Sequence, residues 1–236
     1  MADRILHGVP ALTQPDDVSC GPTCLAQVLA HHGDPRSFLE LAARVERNPD
    51  GGTVGVHLGR AAIELGYEVT LFSCNLRVFD PTWAGLSAAA LTAKLAARAA
   101  AVTDPRLAAI AMAYVDFLER GGRISFDDFD PSLLVQLLDS GRPLIAGLSA
   151  TYLYGAPRED PATSRPDDVA GEPAGHFVVI DGYSERGARF DVVDPYPHNP
   201  FGAGHRYEVA ARRLLNAVLL GDVTYDGVLV VVSRPR

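Results

Sequence analysis

Apolar residues recur with helical spacing through the first half of the chain and gather into short, nearly unbroken runs in the second. From Cys20, the positions Cys24, Leu25, Val28 and Leu29 predict a helix that Gly33 closes. A short amphipathic run follows over Phe38–Arg47, then the turn-rich loop NPDGGTVG, then a helix over Val56–Leu65 stopped by Gly66. Tyr67–Phe72 alternates like a strand. Two alanine-rich helices are expected over Leu86–Ala101 and Asp104–Arg120, the second with Asp104 as N-cap and Pro105 behind it. Their alanine content gives helix propensity but little bulk, which suits close helix packing or a partly exposed lid. Asp130-Pro131 starts a further short helix through Leu138.

Beyond it the pattern changes. RPLIAGLSATYLY has the short apolar run of a buried strand. GAPREDPATSRPDDVAGEPAG (about 155–175) is rich in Pro, Gly, Asp and Ser and forms a long loop, of a kind that often borders a site. HFVVIDGY and ARFDVVDPY are two strands around the turn Ser184-Glu185-Arg186-Gly187. After the loop HNPFGAGH, Tyr207–Leu220 runs from a strand end into a helix, and Tyr225–Val232 closes as a strand. No repeat or linker divides the chain, so residues 1–236 are expected to form one domain, with a helical insertion at about 75–130.

The length of 236 residues is enough for a substantial core. A net charge of −8 removes any electrostatic reason to expect nucleic acid or an anionic membrane as partner. MADRILHGVPAL lacks the features of a signal peptide, and no apolar run reaches the roughly 20 residues of a membrane span. Three cysteines (Cys20, Cys24, Cys74) make no disulfide framework and suit a reducing compartment, so a cytoplasmic location is expected.

One cysteine stands in a special place. Gly21-Pro22 behind Cys20 marks a helix start, with proline expected at the first helical position. A helix N-terminus stabilises an anion, and a thiolate is one. Gln14, six residues upstream, is an uncharged donor for an oxygen that develops negative charge. Cys24, one turn deeper, has the position of a buried hydrophobe.

A cysteine nucleophile needs a base, and the base an orienting group. His176 opens a strand and Asp194 ends the next. Folding the hairpin so that residue 183 faces 188 puts His176 across from 195, one step from Asp194. A three- or five-residue turn would set the pair directly opposite, with Cβ atoms about 5 Å apart. Asp181 and Asp191 differ in parity from these positions and point to the other face. His198 and His205 match no zinc spacing, adjacent His31 and His32 point apart on a helix, and GGTVG and FGAG lack the lysine of a phosphate loop. No metal or cofactor is expected.

The segments Q-x5-C with CGPTCLAQVLAHHG, GHFVVIDGY and VVDPY resemble the papain-like cysteine peptidases, in particular the bacteriocin-processing (double-glycine leader) peptidase domains and their stand-alone bacterial relatives. The resemblance implies a papain-like α+β fold, a helical part carrying the nucleophile packed on a mainly antiparallel twisted sheet. It also implies roles: Cys20 attacks, His176 is general base and acid, Asp194 holds the imidazole, and Gln14 helps form the oxyanion hole. The expected activity is hydrolysis of a peptide or amide bond. Two alternatives share the fold, an acyltransferase or transglutaminase-like enzyme that passes the acyl group to an amine, and a non-catalytic peptide-binding relative.

Overall fold

In the computed structural model, which describes residues 3–48, 51–202, 204–221 and 227–235, the strands join into one eight-stranded sheet. The strands are β1 (Ile5–Leu6), β2 (Glu68–Ser73), β3 (Arg123–Ser125), β4 (Leu144–Ser149), β5 (Gly175–Ser184), β6 (Arg189–Val193), β7 (Arg206–Ala210) and β8 (Val228–Ser233). Their spatial order is β3-β2-β8-β4-β5-β6-β7, with β1 also pairing to β5. All pairings are antiparallel except β2 with β3. The expected start of the last strand at Tyr225 lies outside the described residues, as do Pro49, Asp50 and Ala203 of two expected loops.

Helices cover both faces, which is why the central strands are continuous apolar runs and do not alternate. On one face α1 (Cys20–His31), α2 (Phe38–Ala42), α3 (Gly55–Glu64), α4 (Ala88–Ala101) and α5 (Pro105–Glu119) pack with Val69, Ile145, Phe177, Val179 and Val230. On the other, α6 (Pro131–Asp139), α7 (Ala150–Tyr154) and α8 (Ala211–Leu220) pack with Leu144, Ala146, Val178, Val192 and Leu229. The alanine-rich α4 and α5 are packing helices, since Leu91, Leu95, Ile110 and Phe117 are buried in the first cluster.

Most element ends follow local chemistry. Asp104 accepts from the N–H groups of Arg106 and Leu107, and Asp130 from that of Leu133, so each N-cap precedes a first-position proline. Three expectations are corrected. The run after Ser37 is helical only over Phe38–Ala42. The apolar stretch after Pro143 stops being a strand at Ser149, whose hydroxyl caps α7 by accepting from the Tyr152 N–H. A run apolar on both sides carries no period, so this break has no signature. The hairpin register also differs. Ser184 pairs with Arg189, so the turn falls one step later than expected and moves the facing residue by two, and a bulge between Ile180 and Gly182 takes one of these back, giving Val179 opposite Val193.

Candidate active site

Cys20 is the first residue of α1, so Pro22 is the third helical residue and not the first. The fit is no worse, because none of the first three helical positions has an intrahelical acceptor for its N–H to lose. Every residue from Cys20 to Leu29 is buried, which makes α1 a central helix and not an amphipathic surface one. Gly21 is what lets it seat. A Cβ there would lie 2.6 Å from the Thr53 methyl and 3.3 Å from both Leu58 and Phe177.

His176, the second residue of β5, and Asp194, just past β6, meet at the sheet rim, where His176 Nε2 lies 2.9 Å from Asp194 Oδ1. Continuing the observed register puts Asp194 level with Val178, so the pair is diagonal across the ladder and spans the gap with its side chains. The carboxylate fixes Nε2 as donor and leaves Nδ1 as the other ring nitrogen. Cys20, 8% exposed, is close enough to this ring to raise its pKa. Burial pulls the His176 pKa down, but the Asp194 carboxylate, then Cys20, outweigh it and push it up to about 10.

Asp194 is fully buried and fully engaged. Oδ1 accepts from His176 and, at 2.9 Å, from the Tyr196 N–H; Oδ2 accepts the hydroxyls of Tyr154 at 2.7 Å and Tyr207 at 2.9 Å. Burial opposes its charge, yet His176 and these donors hold its pKa below the usual value. Burial and the Asp194 charge push both tyrosine pKa values upward, so each phenol stays a donor. Sequence reasoning missed both tyrosines. They arrive from α7 and β7, and nothing local ties either to an aspartate elsewhere in the chain.

Gln14 is nine-tenths buried, and its backbone N–H donates to the Pro195 carbonyl at 3.0 Å. Its Nε2 donates to the Asp16 carbonyl at 2.8 Å, which occupies one amide hydrogen and leaves a second. His205 straps this segment down. Its Nδ1 donates to the Asp194 carbonyl at 2.7 Å, which leaves Nε2 to accept from the Thr13 hydroxyl at 3.0 Å. A cavity of about 460 Å³ opens beside these groups, lined by Gln14, His176, Tyr154, Tyr196 and His198 and by Ala156, Pro157, Glu159 and Ser164 of the long loop.

The other candidates lie apart. Cys24 is fully buried and donates its thiol to the Phe177 carbonyl at 3.3 Å, while burial pushes its pKa well up. Asp181 accepts from the Val9 N–H at 2.9 Å and from Arg206 at 2.7 Å, and Asp191 pairs with Arg4 at 3.3 Å. Among the described residues no group of three or more His, Cys, Asp or Glu is placed to hold a metal ion, and no helix is long and apolar enough to cross a membrane.

A family model described as "Peptidase_C39 like family" matches residues 92–216, a span that holds His176 and Asp194 and begins after Gln14 and Cys20. Among solved structures, a putative C39-like peptidase from Bacillus anthracis shares 15% identity over 100% of this chain and 99% of its own, with a TM-score of 0.52. Xylellain, a cysteine protease from Xylella fastidiosa, shares 14% over 100% and 87%, with a TM-score of 0.49. The peptidase domain of Streptococcus ComA, a bi-functional ABC transporter, shares 14% over 96% and 99%, with a TM-score of 0.47. At such identities the likeness concerns the fold, and the papain-like α+β assignment rests on the Bacillus anthracis structure. No curated protein matches the chain.

Proposed function

Since this chain belongs to the Peptidase_C39-like family, we propose that it hydrolyses a peptide or amide bond, with Cys20 as nucleophile, His176 as acid and base, Asp194 as the group that orients His176, and Gln14 as oxyanion donor. One observation carries the reading: a single imidazole is engaged by a buried carboxylate at Nε2, and Cys20 at the tip of α1 is close enough to raise the pKa of the same ring.

The chemistry follows from those positions. With the proton on His176 Nδ1, the Cys20 thiolate adds to the carbonyl carbon and the oxygen takes the displaced electron pair. The second hydrogen of Gln14 Nε2 and the Cys20 N–H, which has no intrahelical acceptor, stabilise that oxygen. Collapse breaks the C–N bond, and Nδ1–H protonates the departing amine. The neutral ring then takes a proton from water as the hydroxide attacks the thioester, and collapse releases the acid and expels the Cys20 thiolate, restoring the starting thiolate and protonated imidazole. The cavity beside His176 would receive part of the peptide substrate.

The test is a peptidyl electrophile read by intact and peptide mass spectrometry. The expected result is one adduct, on Cys20, that survives Cys24→Ala and is absent in Cys20→Ala. An adduct on Cys24 in place of Cys20 would refute the assignment, and no adduct at all would favour the non-catalytic reading. Products formed with and without added amine separate hydrolysis from acyl transfer.

A further inference from the structure

The sheet has a second concave end, remote from Cys20. There a cavity of about 590 Å³ is lined by Arg123, Arg142, Arg234, His32, Ser233 and Glu68, among others. The pairing explains the convergence. Glu68 lies opposite Ser233 and Leu144 opposite Val231, so the start of β2, the end of β8 and the approach to β4 share one edge. His176 lies opposite Leu148, at the other end of β4. Helix α1 runs between the two ends, with Cys20 at its start and His32 just past its last residue, about 18 Å along a helix of this length.

The charge in this cavity is unbalanced. It holds three guanidinium groups and one carboxylate, Glu68, which Arg123 already holds at 3.1 Å. Among the described residues no carboxylate forms an ion pair with Arg142 or Arg234. Asp34 feels the charge of Arg234, but its oxygens already accept from Arg36 at 2.8 Å and Tyr67 at 3.1 Å. His32 adds a ring that keeps Nε2 on the Val232 carbonyl at 3.0 Å. A chain of net charge −8 has no compositional reason to gather cations in one hollow. Guanidinium forks in a concave site match the oxygens of an oxyanion, and the volume falls within the roughly 300–1,000 Å³ of small-molecule pockets.

We propose that this pocket binds a phosphate group, free or as the ester of a small molecule, gripped by Arg142 and Arg234 with the Ser233 hydroxyl beside them. The site is independent of the peptidase reading, because none of its groups touches Cys20, His176 or Asp194.

Calorimetric titration with inorganic phosphate and with glycerol phosphate, at constant ionic strength, tests it. Wild-type protein is expected to bind, and Arg142→Ala/Arg234→Ala to bind at least about tenfold more weakly, the cost of losing charge-assisted hydrogen bonds. Tighter binding of the ester means that its organic part is seated, and equal binding means that only the phosphate group is held; both support the site. Should circular dichroism show the double variant unfolded, Arg142→Gln alone must weaken binding several-fold. No binding by wild type at millimolar phosphate, or equal binding by the folded variants, would overturn the proposal.

Discussion

Tyr154 donates its hydroxyl to Asp194 Oδ2 over 2.7 Å, on the oxygen not used by His176. This donor helps hold the Asp194 pKa down, so removing it raises that pKa. Asp194 stabilises the fold in its charged form above the ordinary carboxylate range, and that contribution is lost as pH falls through its depressed folded value. In Tyr154→Phe the loss begins at higher pH. The expected result is an acid limb of the Cys20 alkylation profile that moves upward, with little change in rate at neutral pH, where Asp194 stays ionised. An unmoved limb would mean that the hydroxyl is only a packing contact.

His176 follows the opposite sign. Its pKa is raised from an ordinary value near 6.5 to about 10, so its contribution to stability is complete below about 6.5 and is lost as pH rises through about 10. Ring ¹⁵N spectra should therefore give a titration midpoint far above that of a solvent-exposed histidine. Asp194→Asn removes the strongest of the raising influences, and the midpoint should fall. A wild-type midpoint near 6.5 would contradict the charged pair.

How much of this was legible in the sequence depends on the range of each signal. Cys20 at a helix start and Gln14 ahead of it were legible because Gly-Pro and the apolar spacing act within one turn. His176 and Asp194 were legible as a pair, but their register was not. The bulge before Gly182 accompanies the close approach of β1: a Cβ on Gly182 would lie 2.1 Å from the Ile5 carbonyl oxygen, and no local pattern announces a strand from the far end of the chain. The two departures cancel in part: the later turn moves the register by two and the extra residue takes one back, which turns the expected one-step offset into a diagonal pair two steps apart and on one face. Tyr154 and Tyr207 were illegible for a related reason, since a buried carboxylate recruits donors from whichever elements the fold brings near.

Gln14 is anchored by its backbone to the Pro195 carbonyl, next to Asp194, so replacing the side chain should leave the segment in place. On the proposed role, Gln14→Ala lowers turnover by about 100- to 1,000-fold, the usual effect of losing one oxyanion donor. Alkylation of Cys20 by a small haloacetamide forms no oxyanion and should change little. A parallel fall in both rates would assign Gln14 to positioning and not to the oxyanion.

Gly21 offers a test of how tightly the nucleophile helix is seated. A methyl group there meets the Thr53 Cγ2 at 2.6 Å, and Leu58 and Phe177 close the remaining sides at 3.3 Å. Thr53 is itself fixed, because its hydroxyl donates to the Glu46 carbonyl at 2.8 Å and a β-branched side chain has little rotamer freedom. Gly21→Ala should therefore cost about 1–3 kcal/mol, as overpacking of a close-packed core does, and should slow Cys20 alkylation by displacing the sulfur from His176. Thr53→Ser keeps the hydroxyl and removes the offending methyl. In the double variant Gly21→Ala/Thr53→Ser, most of the lost stability and reactivity should return, as read by denaturant midpoints and alkylation rates. If the two substitutions simply add, the clash with Thr53 is not what requires glycine behind Cys20.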